Sequence, residues 1–483
     1  MENKTGKLIV VRHGESEWNK ANLFTGKTDV HLSPAGFRMA GAMGALVKDI
    51  KINRVFASMQ IRSIETEVCF MEGTGQYCPK VSHSSALNER DYGDFTGTNK
   101  TEQEKVLGKE EVKDLRRAWD HPIPNGETLK MVYERVVPFF QQEILPILNQ
   151  GHNVLVVSHG NTIRALMKYI EKISDENIEK IEMPFDEIFV YDIDENGFML
   201  DKKIRKVEDS VGIIQDKKIR SSVKIVATIG PASEQPQILN EMIKLGMDIA
   251  RINCFWAELG EEKKRIQTIR DLAEKNNLKV LIIEDLPGPR LQDKDGHTYD
   301  LNTTKAITDK DKELIKFGVE NNVDYISVSF VGNEADIIDC RNEIKKCGGN
   351  QKVIAKIERE EAVKNLDEII EASDAIMIAR GDLGNEIALE KIPFVQDEII
   401  KKCKKAGKPV ITATQMLYSM KDNPSPTRAE ATDVVNAVLE GTDAIMLSEE
   451  TASGKYPIRA VHVMEHLALE AEAHLKNPKF SPF

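Results

Sequence analysis

Leu8-Ile9-Val10-Val11-Arg12-His13-Gly14 (residues 8–14) and Val154-Leu155-Val156-Val157-Ser158-His159-Gly160 (residues 154–160) share one design. Each is a continuous apolar run that ends in a polar residue, a histidine and a glycine. Four Leu, Ile or Val side chains in a row, without alternation, describe a strand buried on both faces, as in a parallel sheet covered by helices. A third run, Ile188–Tyr191, and the helix-period segment Met131–Leu148 extend the same α/β reading. In such sheets ligands bind beyond the strand C-termini, where a glycine lets the backbone approach a phosphate closely. Histidine is largely unprotonated at neutral pH and can attack phosphorus. One histidine at a strand end reads as structural. Two, with Arg12 adjacent and Ser16 and Asn19 on the following turn, read as a phosphoryl site.

Further along, the stretch from Asp201 to Ser222 is charged, lacks a sustained apolar period and repeats Asp-Lys-Lys-Ile-Arg at Asp201 and Asp216. It reads as a linker or domain edge, in which Val211–Ile214 has the composition of a short strand. Beyond it, apolar strand candidates lie at Lys224–Gly230, Asp248–Cys254, Lys279–Asp285, Asp324–Phe330, Lys352–Glu358, Ala375–Gly381, Pro409–Gln415 and Asp443–Glu449. Helical patterns separate them, except after the third, where a polar stretch with Gly296 intervenes. Eight β-then-α units predict a closed (β/α)8 barrel with a last helix through Ala460–Ala473. The expected organisation is an α/β three-layer domain over 1–205, a linker over 206–222, a TIM barrel over 223–475 and a tail over 476–483.

A chain of 483 residues, 41% hydrophobic and 30% charged, has the composition of a protein with more than one globular core. The formal net charge of −12 argues against nucleic acid or an anionic membrane surface as partner. It permits anionic small molecules, because local arginines dominate a pocket. The six cysteines show neither paired nor C-x-x-C spacing, which suits reduced thiols better than disulfides or a zinc site. No apolar run approaches transmembrane length, and a cytoplasmic protein is the expectation. Self-association is left open.

Arg12-His13-Gly14-Glu15-Ser16-Glu17-Trp18-Asn19 is similar to the signature of the histidine phosphatase superfamily, in its cofactor-dependent phosphoglycerate mutase branch. The match continues through Phe24-Thr25-Gly26, Ser58 with Arg62, Leu87–Gly93, Asn99-Lys100, Arg116-Arg117 and His159-Gly160-Asn161. The resemblance implies that His13 is phosphorylated, with 2,3-bisphosphoglycerate as the loading cofactor, and that Glu89 moves the proton. It implies further that Arg12, Arg62 and His159 bind the transferring group, with Thr25, Gly26, Gly160 and Asn161 beside it. Tyr92, Lys100, Arg116 and Arg117 would grip the substrate's carboxylate and second phosphate. Read without the resemblance, Arg116-Arg117 is equally a solvated basic helix face. Where the family has a C-terminal tail that covers the pocket, this chain has the linker, so raised phosphatase activity is expected.

At the strand C-termini of the expected barrel lie Arg251, Asn253, Asp285, Lys356, Glu358, Asp382, Thr414 and Glu450. Glu358 and Asp382 offer hard oxygen ligands for Mg²⁺ or Mn²⁺. Lys356, two residues before Glu358 on one strand, points to the same side. The segments Lys224–Ser233, Ala355–Glu358, Ala379-Arg380-Gly381-Asp382-Leu383-Gly384, Thr412–Leu417 and Pro426–Glu430 resemble pyruvate kinase. By that resemblance Lys356 stabilises transfer and the enolate, Glu358 and Asp382 hold the metal beside Gly381, Thr414 positions the proton donor, and Arg251 and Asn253 face phosphates. The family's lid domain after the third strand and its C-terminal regulatory domain have no counterpart. Phe255-Trp256 and Leu286 stand where a monovalent-cation site needs oxygen ligands, and Arg290 stands where members that need no potassium carry Lys. Potassium is therefore expected to be dispensable, and the nucleotide half of the site to be eroded.

Three readings of the whole chain follow: a bifunctional enzyme acting on small phosphorylated carboxylic acids, a mutase-like enzyme with a phospho-acid-sensing barrel, and a scaffold. No enolase-like segment joins the two halves.

Overall fold

The computed structural model describes residues 5–76, 80–207, 220–256, 258–293, 296–299 and 305–476. Of the linker, residues 208–219 with the candidate strand Val211–Ile214 lie outside the described residues, as do Cys78, residues 477–483 of the tail and the Arg290 side chain. The chain divides into two compact units, Met1–Lys218 and Ile219–Phe483.

The first unit is built on β1 (Leu8–Arg12), β2 (Arg54–Ala57), β3 (Lys80–His83), β4 (Val154–Ser158), β5 (Glu187–Ile193) and β6 (Met199–Lys206), ordered β3-β2-β4-β1-β5-β6. The first four are parallel, β5 runs antiparallel to β1, and β6 antiparallel to β5. Alternation along the strands feeds two cores. Leu8, Val10, Val154 and Val156 pack one face with Phe140, Leu148 and Ile163, while Ile9, Val11, Leu155 and Val157 pack the other with Met43, Val47 and Phe70. Both faces are thus covered, which is why β1 and β4 are continuously apolar. In-register pairing of Arg12 with Ser158 brings the ends of β1 and β4 together and sets His13 and His159 side by side. The helical stretch expected over 131–148 spans Leu129–Asn149, with one π turn at Phe140–Ile144.

The charged stretch from Asp201, read as linker or domain edge, begins inside β6, an edge strand paired from Glu187↔Lys206 to Ile193↔Met199. An edge strand needs no apolar face on its open side, and Lys202, Lys203, Arg205 and Lys206 are the charges that discourage further pairing there.

The second unit is a closed barrel of eight parallel strands: β7 (Lys224–Ile229), β8 (Met247–Asn253), β9 (Leu281–Asp285), β12 (Tyr325–Val328), β13 (Lys352–Ile357), β14 (Ala375–Ala379), β15 (Val410–Ala413) and β16 (Ala444–Leu447). Closure comes from β16 pairing with β7. Val226, Ile249, Ile283, Ile354, Met377, Ile411 and Met446 fill the interior. In place of the polar stretch expected after the third strand stands a two-stranded hairpin, β10 (Arg290–Asp293) with β11 (Gly296–Tyr299). The last helix runs longer than expected, over Pro457–Lys476. Among the described residues no helix is long and apolar enough to cross a membrane, and Cys254, Cys340, Cys347 and Cys403 are free thiols.

Candidate functional site

Past the end of β1 the chain turns tightly. A Cβ on Gly14 would come within 2.5 Å of the Gly36 carbonyl, so only glycine fits against the helix Pro34–Ala45. The turn buries His13 and aims its Nδ1 at the Gly14 carbonyl, 2.7 Å away. A carbonyl only accepts, so Nδ1 carries the proton and Nε2 keeps its lone pair. Burial, then the Arg62 and Arg12 guanidinium groups, hold His13 well below the usual imidazole pKa. His13 is therefore neutral, as a nucleophile must be. His159 lies with its ring centroid 4.9 Å from that of His13; its Nε2 is 2.7 Å from Ser58 Oγ, and burial, then Arg62, lower its pKa as well.

Arginines surround this pair, each fixed through neutral carbonyls. Arg12 donates to Met183 O and stacks 3.8 Å over the Phe185 ring. Arg62 donates to Thr28 O and Gly26 O. Burial lowers both guanidinium groups to about 10, which leaves them charged. A cavity of about 110 Å³ is lined by Arg12, His13, Asn19, Thr25, Gly26, Arg62, Glu89, Tyr92, Lys100, Arg116, Arg117, Gly160 and Asn161. Arg12 Nε, Arg62 Nε, Thr25 Oγ1 and His159 Nδ1 are buried with no hydrogen-bond partner. Buried polar atoms are normally paired, and three of these orphans belong to residues that line the cavity, Arg12, Thr25 and Arg62. Glu89, 8% exposed, sits on the same wall and accepts from Arg90 N at 2.8 Å and Asn161 N at 3.3 Å. Tyr92 OH accepts from Asn161 Nδ2 and Arg90 Nη2; burial pushes its pKa up, and the Arg90 charge together with the hydrogen bonds from Arg90 and Asn161 leaves it below the usual phenol value.

Ser16 stands apart from the lining. Its hydroxyl caps the turn Glu17–Lys20, accepting from Asn19 N and donating to Asn19 Oδ1. Arg164, Glu182 and Met183 line the pocket and were not picked out from the sequence. Arg164 follows Asn161 by three residues on the helix Gly160–Ile170, a spacing that signals a shared face. It bonds Asn161 Oδ1 and the Arg116 and Arg117 carbonyls, and so holds the end of the helix Lys109–Arg117 at the pocket. Nothing in the local sequence marked Glu182 or Met183.

In the barrel, the strand C-termini carry a denser, charge-balanced cluster. Lys356 Nζ lies 2.9 Å from Glu358 Oε1, 3.3 Å from Asp285 Oδ1 and 2.8 Å from Ser329 Oγ. Arg251 pairs with Asp285 Oδ2 at 2.5 Å and donates to Thr228 Oγ1. Glu358 Oε2 accepts from Phe330 N. Thr414 adopts φ 66° and Gln415 φ 55°, a left-handed pair that costs strain and turns the Thr414 hydroxyl to accept from Gly381 N at 2.7 Å. Asp382 lies in the short turn Arg380–Leu383 after β14. Asn253 Oδ1 is engaged by its own loop, accepting from Phe255 N. Glu450 braces backbone, accepting from Ser448 N and Leu417 N. Glu358 and Asp382 supply oxygen donors only, which fits a hard divalent cation that completes its shell with ligand and water. Among the described residues no three acidic, His or Cys side chains are grouped to hold a metal alone. A larger cavity, about 550 Å³, opens at the opposite end of the barrel, walled by Ile249, Ile283, Ile354 and Ile411.

Comparison with known families matches both units. Residues 8–204 match the histidine phosphatase superfamily (branch 1), and residues 220–305 and 299–461 match the pyruvate kinase barrel domain. A pyruvate kinase of Thermococcus litoralis is 39% identical over 338 residues, covering 53% of this chain and 71% of that protein. Pyruvate kinases of Sporosarcina psychrophila and Staphylococcus epidermidis are 38% and 37% identical, and of these the chain spans only 57%. Through its barrel the chain belongs to the pyruvate kinase family, and a histidine phosphatase superfamily domain precedes that barrel in the same polypeptide.

Proposed function

We propose that residues 1–205 form a phosphohistidine phosphotransferase that interconverts 3-phosphoglycerate and 2-phosphoglycerate, loaded by 2,3-bisphosphoglycerate. The observation that carries this reading is the fixed tautomer of His13 beside Arg12 and Arg62, whose hydrogen-bond partners are neutral carbonyls. The Nε2 lone pair attacks phosphorus, the phosphorus–oxygen bond breaks, and Glu89 gives a proton to the departing oxygen. In the reverse step Glu89 takes that proton from the incoming hydroxyl. Arg12, Arg62 and His159 meet the charge of the transferring group, and Lys100, Arg116, Arg117 and Tyr92 meet the acid's other anion. Transfer to a second substrate oxygen isomerises; transfer to water hydrolyses. With the linker in place of the family's covering tail, we read hydrolysis as raised relative to a tailed mutase.

For the barrel, over 223–475, we read a site for phosphoenolpyruvate, pyruvate or a related acid. Glu358 and Asp382 would hold Mg²⁺ or Mn²⁺, which when bound polarises the acid's oxygens and stabilises enolate charge. Lys356 adds a cation on the same side, and Thr414 positions the proton donor beside Gly381. Potassium is not required in this reading. A second reading, a phospho-acid-binding regulatory module, is favoured by the pairing of Arg251 and Lys356 with internal carboxylates. A cytoplasmic setting belongs to either reading.

Phosphorus NMR of the wild type, His13→Ala and Lys356→Ala with 3-phosphoglycerate, 2,3-bisphosphoglycerate and phosphoenolpyruvate, with Mg²⁺ and with or without ADP, tests both halves. Turnover of phosphoglycerates that survives His13→Ala would end the phosphohistidine reading. Phosphoenolpyruvate binding without any Lys356-dependent turnover would favour the module.

A further inference from the structure

Residues 181–185 hold two arginines of the phosphoryl pocket, and Glu182 and Met183 among them line it. Ile181 O accepts from Arg117 Nη1 at 3.0 Å, Met183 O accepts from Arg12 Nη1 at 2.5 Å, and the Phe185 ring lies under the Arg12 guanidinium. These contacts are neutral: they aim a cation and leave its charge for a ligand. Glu182 breaks the pattern. Its two carboxylate oxygens lie 2.6 and 2.8 Å from Arg117 Nη2, so the charge of Arg117 is already answered from within the pocket wall. Of the other lining cations, Lys100 and Arg116 are those read as meeting the second anion, and Arg164 is held by the Arg116, Arg117 and Ile178 carbonyls.

We infer that Glu182 is a specificity residue, a built-in carboxylate that competes for Arg117 and sets the pocket to prefer acids with one phosphoryl group over acids with two. The inference rests on reading this pocket as a phospho-acid site. A singly phosphorylated acid places its carboxylate against Lys100 and Arg116 and takes from Arg117 only what the pairing with Glu182 leaves. A second phosphoryl group brings a near-dianion to the same place, where it meets like charge or must drive Glu182 away. Glu182 is 68% exposed and can turn into solvent, so the effect is a graded preference and not an exclusion. Its consequence is slow loading of His13 by bisphosphorylated donors.

Calorimetric titration of the full chain in a His13→Ala background, where residue 13 accepts no phosphoryl group, separates binding from turnover. Glu182→Gln is expected to tighten 2,3-bisphosphoglycerate by about tenfold and 3-phosphoglycerate by less than about threefold, while Glu182→Asp keeps most of the preference. Equal tightening of both ligands, or of neither, overturns the inference. The parent reading is judged separately, by ³²P labelling of His13 in the chain with its native histidine. A chain that binds both ligands yet never labels sinks the phosphohistidine reading and leaves the binding ratio to decide about Glu182. If neither ligand binds with or without Glu182→Gln, both fall.

Discussion

The two candidate sites solve the same problem, holding several cations together, in opposite ways. At His13 the guanidinium groups of Arg12 and Arg62 are tethered by carbonyl oxygens, which orient them without cancelling their charge. At the barrel mouth Arg251 and Lys356 are tethered by the Asp285 and Glu358 carboxylates, which do cancel it. The first arrangement lines its pocket with more cationic than acidic side chains, which suits an anion. In the second, Arg251 and Lys356 already have carboxylate partners, so an anion would compete with Asp285 and Glu358 for them. In the proposed reading Glu358 and Asp382 would hold a divalent cation, and Glu358 would then answer Lys356 less, leaving that ammonium for an anion.

Four measurements break or sharpen this contrast. The largest effect belongs to the first site: His13→Ala should lower phosphoryl transfer by about 10⁴-fold or more, since the nucleophile is gone. Rapid-quench assays with labelled phosphoglycerates measure it, and a loss under tenfold would make His13 a bystander. Removing a tether cation in the barrel should cost stability. Lys356→Met takes the ammonium away from the buried Asp285 and Glu358 carboxylates, and the unfolding transition of the second unit should lose about 3 kcal/mol. A denaturation midpoint that does not move would mean the trio is more hydrated than its burial indicates. Chelation should separate the sites by function. EDTA should weaken phosphoenolpyruvate binding to the barrel by about tenfold and change His13 phosphorylation by less than about twofold. Equal sensitivity would erase the distinction.

The smallest effect is in pH. His13 and His159 are held below the imidazole value of 6.5 by burial and the neighbouring arginines. The unfolded chain takes up protons near 6.5, whereas the folded site does so only at lower pH. Stability of the first unit is therefore complete above about pH 6.5 and declines below it, as the unfolded state binds more protons. The acid limb of His13 phosphorylation should likewise lie below 6.5. A limb at or above 7 would mean that the arginine field is screened in solution.

Much of this was legible because two physical constraints write themselves into sequence. Strands buried on both faces must be apolar throughout, which exposed β1, β4 and the eight barrel strands. Phosphate chemistry needs glycine and histidine at strand ends, which marked residues 12–14 and 158–160. Strand β6 escaped because an edge strand owes no apolar pattern to a partner it lacks. Ser16 looked like a ligand contact, but its hydroxyl was already committed to a helix cap. Glu450 looked like a site carboxylate and instead satisfies two backbone amides. Glu182 had no local signature, since its role comes from meeting Arg117 across a long stretch of chain.

Closure of the barrel by Ala444 against Lys224 joins the first barrel strand to the last. Until β16 is made, β7 has an open edge, and the loop that this pairing closes spans nearly the whole unit. Such non-local contacts come late and slowly in folding. The first unit, whose strands are synthesised before β7, is free to complete its own sheet first. A growing chain should therefore bind phosphorylated acids at His13 before the barrel exists, and an arrested chain ending short of β16 should carry one working site and one sticky half-barrel.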